Sequence, residues 1–173
     1  AFVSDAMPRY MSIIEEVAME SGGVIADVGH SESWACRSAF NGYEISAVRF
    51  NIPLIDYEDL RRIVGDAAQR YGYSYSTDPV PRDKENMRSV GLGDQDGNSL
   101  IFDHFENDVI FVQFSSGCLP SLRSRDIHGQ FALPTAQEMF PHLTVVDAYD
   151  ADKQKNPLIF RHVATDSEQQ SGG

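Results

Sequence analysis

The amino-acid sequence predicts an α+β fold, in which an antiparallel sheet carries two helices on one face. Three observations lead to this prediction. Two segments repeat apolar residues at helical spacing, several short segments alternate apolar and polar residues, and tight turn signals separate those short segments. The predicted order is α-β-β-α-β-β(-β), and gathering the helices on one face is the simplest packing for such a sheet.

The length of the chain suits one domain. It has 173 residues, of which 42% are hydrophobic, enough for one core but not comfortably for two. We predict a single domain over residues 1–173, with a core α+β unit over 5–120 and a less regular C-terminal extension over 121–166. Residues 167–173 form a polar tail that offers no core to bury.

The first helix is predicted from Asp5 to about Glu20. Its glutamates fall largely off the apolar face, and Pro8 is tolerated because it lies near the first turn. The apolar face repeats at helical spacing. It consists of Tyr10, Ile13, Ile14 and Val17.

Two strands are predicted next, over Trp34–Ala39 and Tyr43–Asn51. The pair Asn41-Gly42 between them predicts a tight hairpin turn, because both residues tolerate positive φ. Alternation along the second strand places Ile45 on one face and Phe50 on the other. Neither face is purely polar, so both are expected to be partly covered.

The second helix has the clearest signals in the chain. Asp56 is a suitable N-cap, Asp59 stands at the third position as in a capping box, and Gly72 is a typical C-terminal stop. An apolar stripe runs along the helix at i, i+3, i+4, i+7 and i+11. The stripe consists of Leu60, Ile63, Val64, Ala67 and Tyr71.

A strand at Tyr73–Thr77, a loop at 78–85 and an antiparallel meander follow this helix. The turns of the meander are Asp96-Gly97 and Glu106-Asn107-Asp108. Its three strands are Met87–Leu92, Ser99–Phe105 and Val109–Phe114.

The C-terminal extension is less regular. Thr135 and Glu138 form a capping box for one short helical turn, which Pro141 ends. Two short strands are predicted beyond it, over Leu143–Tyr149 and Leu158–Val163.

The charge balance limits the classes of partner. Lys and Arg total 14 against 26 Asp and Glu, so the net charge is −12. Such a surface repels nucleic-acid phosphates and anionic lipid head groups. We therefore expect a protein or small-molecule partner and no nucleic acid. Contact with a membrane is expected only through a lipid anchor upstream of Ala1, since no apolar run approaches the roughly 20 residues that span a bilayer.

The two cysteines predict a disulfide. Cys36 and Cys118 are 82 positions apart, which excludes a CxxC redox motif. Two buried free thiols are the alternative. The bridge is favoured because Cys36 falls within a predicted strand and Cys118 lies at the end of the last meander strand, just before Pro120. Positions within one sheet can satisfy disulfide geometry. A bridge indicates an oxidising compartment.

No segment carries a catalytic, cofactor-binding or metal motif. Residues 94–98 resemble the start of an EF-hand loop, but Ser99 and Phe105 stand where that loop needs its glycine and its glutamate, so a hairpin turn is favoured. Ser115-Ser116-Gly117 lacks the frame of a nucleophile elbow. The histidines are scattered and form no metal-binding motif. They are His30, His104, His128, His142 and His162.

Three tyrosines form a candidate ligand surface. Tyr71, Tyr73 and Tyr75 crowd the end of the second helix and the next strand, and Tyr73 and Tyr75 share a strand face. Packing of the sheet against the helix is the alternative explanation.

Short motifs around the cysteines carry a resemblance to a known group. Trp34-Ala35-Cys36 and Ser116-Gly117-Cys118, the latter followed by Pro120, resemble small actinobacterial cell-envelope lipoproteins of the LppA-like kind. The resemblance covers roughly residues 5–120. It implies an exported protein that is tethered through a lipidated cysteine upstream of Ala1, with its two internal cysteines paired. It implies no activity.

Three functions are consistent with these observations. The first is a non-enzymatic extracytoplasmic binding or structural domain, anchored to the envelope or secreted, which needs no cofactor. The alternative is an acidic interaction module, such as an immunity or inhibitor protein, that meets a basic partner. An enzyme of an unrecognised class is the third, and it requires a deep pocket with perturbed histidines and carboxylates.

Overall fold

A computed structural model describes residues 2–28, 32–36, 42–79, 86–120 and 134–148. Three α-helices, one short π-helix and nine strands lie within these ranges. The helices are α1 (Met7–Glu20), α2 (Tyr57–Tyr71) and α3 (Ala136–Met139). The strands are β1 (Val24–Asp27), β2 (Glu32–Cys36), β3 (Gly42–Pro53), β4 (Ser74–Thr77), β5 (Met87–Gly93), β6 (Ser99–Phe105), β7 (Val109–Ser115), β8 (Leu119–Pro120) and β9 (Thr144–Asp147).

One sheet joins all of these strands. Its main path runs β4-β5-β6-β7-β3-β1-β9, and β2 and β8 also pair with β3. The pairs are antiparallel except that of β1 with β9, which is parallel. The α+β prediction is therefore confirmed. The meander β5-β6-β7 also forms as expected, with β5 and β7 each one residue longer than predicted.

The helix α1 begins at Met7, after a short π-helical segment at Phe2–Ala6, so the predicted start at Asp5 was two residues early. Its four predicted core residues are fully buried. Aromatic contacts join this helix to the sheet, since the Tyr10 and Phe114 rings lie 6.2 Å apart. The same core receives the apolar stripe of α2, so both helices share one core with the sheet.

The ends of α2 form largely as the sequence indicates. The Asp56 carboxylate accepts the backbone N–H of Glu58 at 2.9 Å, and Gly72 ends the helix with φ +70°. The predicted capping box was wrong in its second half. Asp59 instead contacts the guanidinium of Arg62 at 3.2 Å, because an arginine three positions on offers this acid a charged partner on the exposed side of the helix.

Asp56→Ala is expected to lower the free energy of unfolding by about 1 kcal/mol, because a helix N–H loses its side-chain acceptor. Urea unfolding followed by circular dichroism measures the loss. Asp66→Ala is the matched control, since it removes an exposed carboxylate from the interior of the same helix. Equal losses in the two variants would contradict the capping role.

Two features near the N-terminus differ from prediction. The strand β1 was not foreseen, because Val24–Asp27 is too short to show a periodic pattern. The strand β2 begins at Glu32, two residues before the predicted start at Trp34, and is described as far as Cys36; positions 37–39 of the predicted strand lie outside the described residues. Gly42 is already a residue of β3, paired with Cys36. The predicted Asn41-Gly42 turn was therefore wrong. The connection consists of residues 37–41, which lie outside the described part of the chain.

A β-bulge changes the faces of β3. The register against β7 shifts between Ala47 and Arg49. An extra residue reverses the alternation beyond it, so Ile45 and Phe50 are both buried in the main core despite their odd separation. The prediction that they face opposite sides was wrong for this reason.

The described C-terminal segment completes the sheet. Thr135 and Glu138 form the predicted capping box at α3. The strand β9 lies within the predicted Leu143–Tyr149 strand and pairs with β1. Phe140 meets Phe50 edge-on, with ring centroids 5.2 Å apart. The predicted strand Leu158–Val163 lies outside the described residues.

Candidate functional site

A polar cleft lies where three elements meet: the start of α1, the end of α2 and the β5–β6 turn. Its volume is about 290 Å³. We call it the tyrosine cleft. Its lining combines aromatic, acidic and basic side chains, and the residues used below are Asp5, Arg9, Tyr71, Tyr73, Asp94, Asp96 and Asn98.

The β5–β6 turn is held by one carboxylate. Asp94 Oδ1 accepts the backbone N–H groups of Asp96 and Asn98, each at 2.9 Å, and its Oδ2 accepts the Asn98 side-chain amide at 2.7 Å. Gly97 supplies a positive φ of +81°. The hairpin-turn interpretation of this segment is confirmed. Asp94 is thereby fixed in place beside the cleft.

The end of β7 packs directly on this turn. The backbone N–H of Gly117 donates to Asn98 Oδ1 at 3.0 Å, and Asn98 is buried. A Cβ on Gly117 would lie 2.1 Å from the Asp96 carbonyl oxygen. Glycine is therefore required at this position by the close approach of two backbones.

Two buried phenol hydroxyls near the cleft have no partner among the described residues. They belong to Tyr10 and Tyr73, whose ring centroids are 5.7 Å apart. Tyr10 is fully buried, whereas Tyr73 also lines the cleft. Burial raises the pKa of Tyr10, and the nearby negative charge of Asp94 raises that pKa further. Tyr10 therefore packs on one residue of the cleft lining, Tyr73.

Stability is expected to fall in alkaline solution, partly because of Tyr10. Its pKa in the folded state is raised above the value of about 10 that the unfolded chain has. The contribution of Tyr10 to the stability of the folded state is thus fully present below about pH 10, and it is lost as the pH rises towards the folded-state pKa. Tyr10→Phe should reduce this alkaline decline in melting temperature without loss at neutral pH, since no bond to the hydroxyl is removed.

The control for this prediction is Tyr75→Phe, because Tyr75 is 41% exposed. That variant should keep the alkaline decline of the parent. An unchanged decline in Tyr10→Phe would show that Tyr10 does not contribute.

The three tyrosines of the candidate ligand surface are not brought to one place. Tyr71 and Tyr73 lie together at the cleft, with ring centroids 5.7 Å apart. Tyr75 lies elsewhere, because its hydroxyl donates to the Arg61 carbonyl at 3.1 Å and its ring covers Gly65 of α2.

The ring of Tyr71 is already accompanied by two cations. The guanidinium carbons of Arg9 and Arg70 each lie 5.6 Å from its centroid. Arg70 also forms an ion pair with Glu16 of α1. These contacts join the two helices at the rim of the cleft.

His104 is remote from the serines near the end of β7. Ser99 pairs with Ser115, and His104 is five positions further along β6, roughly 17 Å at the usual strand rise. His104 Nε2 donates to the Ile55 carbonyl at 2.9 Å, which fixes this tautomer. Ser116 Oγ accepts the Ile45 N–H at 2.8 Å. His104 therefore cannot activate either serine.

The described residues include only some of the other predicted features. Cys118 is not a free thiol. The side chain of Cys36 lies outside the described residues, so the bridge stays a prediction. Of the histidines, 30, 128 and 162 also lie outside them. Within the described ranges no three His, Cys, Asp or Glu side chains gather as a metal site would require. None of the helices described has the length and apolarity needed to cross a membrane.

Sequence reasoning missed Arg9 and Asp94 as lining residues of the cleft, and Tyr10 as the residue that packs on Tyr73. Tyr10 fitted the core face of α1, and only its hydroxyl, which a phenylalanine would lack, indicated a polar neighbour. The hairpin turn at residues 94–98 was a sufficient explanation for the presence of Asp94. These residues come from distant segments, so no local pattern connects them.

Comparisons with known proteins give one family match and two structural neighbours. A family model described as a domain of unknown function (DUF4853) matches residues 1–127. The crystal structure of a DUF4853 family protein from Actinomyces odontolyticus ATCC 17982 is 26% identical, with a TM-score of 0.74 over 90% of this chain and 87% of that chain. The Mycobacterium tuberculosis protein LppA, provisionally described as a lipoprotein, is 10% identical, with a TM-score of 0.41 over 75% of this chain and 84% of that chain. No curated protein matches.

Proposed function

This chain belongs to the DUF4853 family, and from that premise we propose that it is a non-enzymatic domain that binds a small polar ligand outside the cytoplasm. The tyrosine cleft is the proposed binding site. The extracytoplasmic location is supported by the predicted disulfide and by the sequence motifs around it. The comparison with LppA is too distant to add support.

The observation that carries the binding proposal is the polar cleft itself, whose lining includes Tyr73, a residue with a buried hydroxyl that has no partner among the described residues. Buried polar groups without partners are unfavourable, and those in native structures call for an explanation, such as a bound molecule. The side chains that line the cleft are already held in position. The hydrogen bonds to Asp94 fix its carboxylate, and two arginines flank Tyr71. The cleft has room for a compact ligand.

Binding is tested by nuclear magnetic resonance on the full chain with a set of small cationic, neutral and anionic molecules. Ligands are expected to shift the amide signals of Gly72, Tyr73, Asp96 and Asn98, and to be recovered unchanged after incubation. Shifts that occur only elsewhere would overturn the choice of site. A chemical change in the ligand would overturn the non-enzymatic assignment.

The location is tested separately. Antibody detection after fractionation of the producing organism should find the protein in the envelope or the medium. Recovery from the cytoplasm alone would overturn the extracytoplasmic proposal while leaving the binding proposal intact.

A second candidate function is docking of a basic protein, because α1 borders an acidic groove. The groove has a volume of about 590 Å³ and contains Met19, which is 57% exposed, beside Ile63. Its acidic residues are Glu15, Glu16 and Glu20. An apolar centre with a carboxylate rim fits a basic segment that carries an apolar anchor.

The docking function requires that the affinity for the basic partner falls as the salt concentration rises. A Lys-rich peptide with one central leucine is a suitable probe, measured by fluorescence anisotropy. Glu15→Gln with Glu20→Gln should weaken its binding, whereas Asp66→Asn with Glu58→Gln makes the same charge change outside the groove and should weaken it less. Equal weakening would indicate attraction by net charge without a docking site.

A further inference from the structure

We propose that two copies of this chain associate edge to edge through the strand β4, as a weak symmetric dimer. This inference goes beyond the proposed binding function and concerns a different surface. It follows from the exposure of β4, from the backbone groups that its free edge presents and from the way those groups match a second copy of themselves.

The strand β4 forms one end of the sheet. Among the described strands only β5 pairs with it. Ser74, Tyr75 and Ser76 are all exposed, as expected for a strand with one open side. Residues 74–77 include no charged side chain and no proline, which are two of the features that keep the edges of sheets apart. This edge is therefore suited to pair with another strand.

Side-chain hydrogen bonds hold the edge in place. The Tyr75 hydroxyl donates to the Arg61 carbonyl of α2 at 3.1 Å. Ser74 Oγ donates to the Gly93 carbonyl of β5 at 3.0 Å. A strand that is already fixed loses little conformational freedom when a partner pairs with it.

The hydrogen bonds to β5 show which backbone groups of β4 point outwards. Directly after the strand, the Asp78 N–H donates to the Ser89 carbonyl of β5 at 3.0 Å. Backbone groups of an antiparallel strand point alternately to its two sides, so every second residue before Asp78 also bonds to β5. The N–H and C=O groups of Tyr75 and Thr77 therefore point away from the sheet.

One antiparallel register gives all of these outward groups a partner. When Ser76 lies opposite the partner's Ser76, Tyr75 lies opposite the partner's Thr77, and each N–H meets a carbonyl. The register can change only in steps of two residues, because only alternate residues point outwards. One such step places Tyr75 opposite Pro79, which has no N–H. The opposite step places Thr77 opposite Tyr73, whose N–H already donates to a carbonyl of α2.

The side chains also match in this register. The Tyr75 ring lies on the helix-bearing face, where it covers Gly65 of α2, and alternation places Thr77 on the same face. Aromatic and β-branched side chains form favourable pairs across neighbouring strands. The residue on the two-fold axis is the uncharged Ser76, so no like charges lie directly opposite each other there.

Charge favours a second copy over a basic segment at this edge. Residues 74–77 carry no carboxylate that could attract a cation. The net charge of −12 makes two copies repel each other at long range. Dimerisation should therefore strengthen as salt screens this repulsion, whereas binding of a basic segment should weaken.

Sedimentation equilibrium of the intact chain tests for the dimer, at protein concentrations up to about 1 mM, where an interaction of millimolar affinity is detected. A monomer–dimer equilibrium is expected, with a dimer fraction that rises from low to high sodium chloride concentration. Sedimentation as a monomer under all conditions would overturn the proposal.

Thr77→Pro tests the backbone pairing. Proline is tolerated on an edge strand where the N–H points to solvent, so the monomer should stay folded by circular dichroism. Each copy loses one donor to the other, and the dissociation constant should rise at least about tenfold.

Charges at Ser76 test the symmetry. Ser76→Lys alone and Ser76→Glu alone each place like charges opposite each other, so each should dimerise less than the parent. An equimolar mixture of the two should form a one-to-one heterodimer. The matched control is Gln137→Lys mixed with Gln137→Glu. Gln137 is exposed on α3, which contacts β9 at the other end of the sheet, so each control variant should dimerise like the parent.

The outcomes leave a clear decision. An unchanged dissociation constant in folded Thr77→Pro, or a mixture of Ser76 variants that stays monomeric, would overturn pairing through β4. A dimer that dissociates as salt is added would also overturn it. None of these measurements depends on the tyrosine cleft, so the dimer and the proposed binding function stand or fall separately.

Discussion

Replacing both Cys36 and Cys118 with serine is expected to lower the free energy of unfolding by about 4 kcal/mol, the largest effect of the changes considered. The two positions are 82 residues apart, so a bridge between them closes a long loop and strongly restricts the unfolded chain. Cys36 is opposite Gly42 of β3, and Pro120 of β8 is opposite the same glycine. The segments that carry the two cysteines therefore meet at one end of β3.

Urea unfolding of the oxidised parent and of the double variant measures this difference. Reduction of the parent should reproduce the loss, and each single serine variant should show a similar one. Thiol labelling gives an independent result, because the native oxidised protein should present no reactive thiol. Labelling of two thiols would refute the predicted pairing and remove the main support for an oxidising compartment.

Gly117→Ala is expected to lower the free energy of unfolding by about 3 kcal/mol, at the upper end of the cost of overpacking. The new Cβ would stand 2.1 Å from the Asp96 carbonyl oxygen, so the two backbones must separate. That separation would also stretch the bond from the Gly117 N–H to Asn98 Oδ1. Because the same turn holds Asp94, ligand binding in the tyrosine cleft should weaken together with stability.

The matched control for that substitution is Gly65→Ala in α2. There the new Cβ would meet the Tyr75 ring at 3.6 Å, an ordinary contact, and alanine favours the helix by about 1 kcal/mol. Gly65→Ala should therefore preserve or raise stability in the same urea experiment. A loss in Gly65→Ala as large as that in Gly117→Ala would refute the explanation by close backbone approach.

The parts of the fold that follow local patterns could be predicted from the sequence. The core face of α1, the stripe and stop of α2, and the three strands of the meander all depend on spacing or on a single end residue. The errors lie where tertiary contacts decide. The bulge at β3 depends on pairing with β7, and β1 forms only because β3 and β9 lie on either side of it.

The tyrosine cleft shows the same limit. Its components come from the start of α1, the end of α2 and a hairpin turn, and each has an adequate local explanation. Tyr71 and Tyr73 were singled out correctly as neighbours, but Tyr75 turns to α2 because its ring covers Gly65. Nothing in the linear order indicates that Asp94 and Tyr71 line the same cleft.

The parallel pairing of β1 with β9 has a consequence for how the chain is made. Val24 pairs with Thr144, so the second edge of β1 is covered only after nearly the whole described part of the chain has been synthesised. Until then β1 presents unpaired backbone that other chains can join. The region matched by the family model ends at residue 127, before the strand that closes this edge. Chains cut at that boundary are therefore expected to aggregate more than chains that include β9.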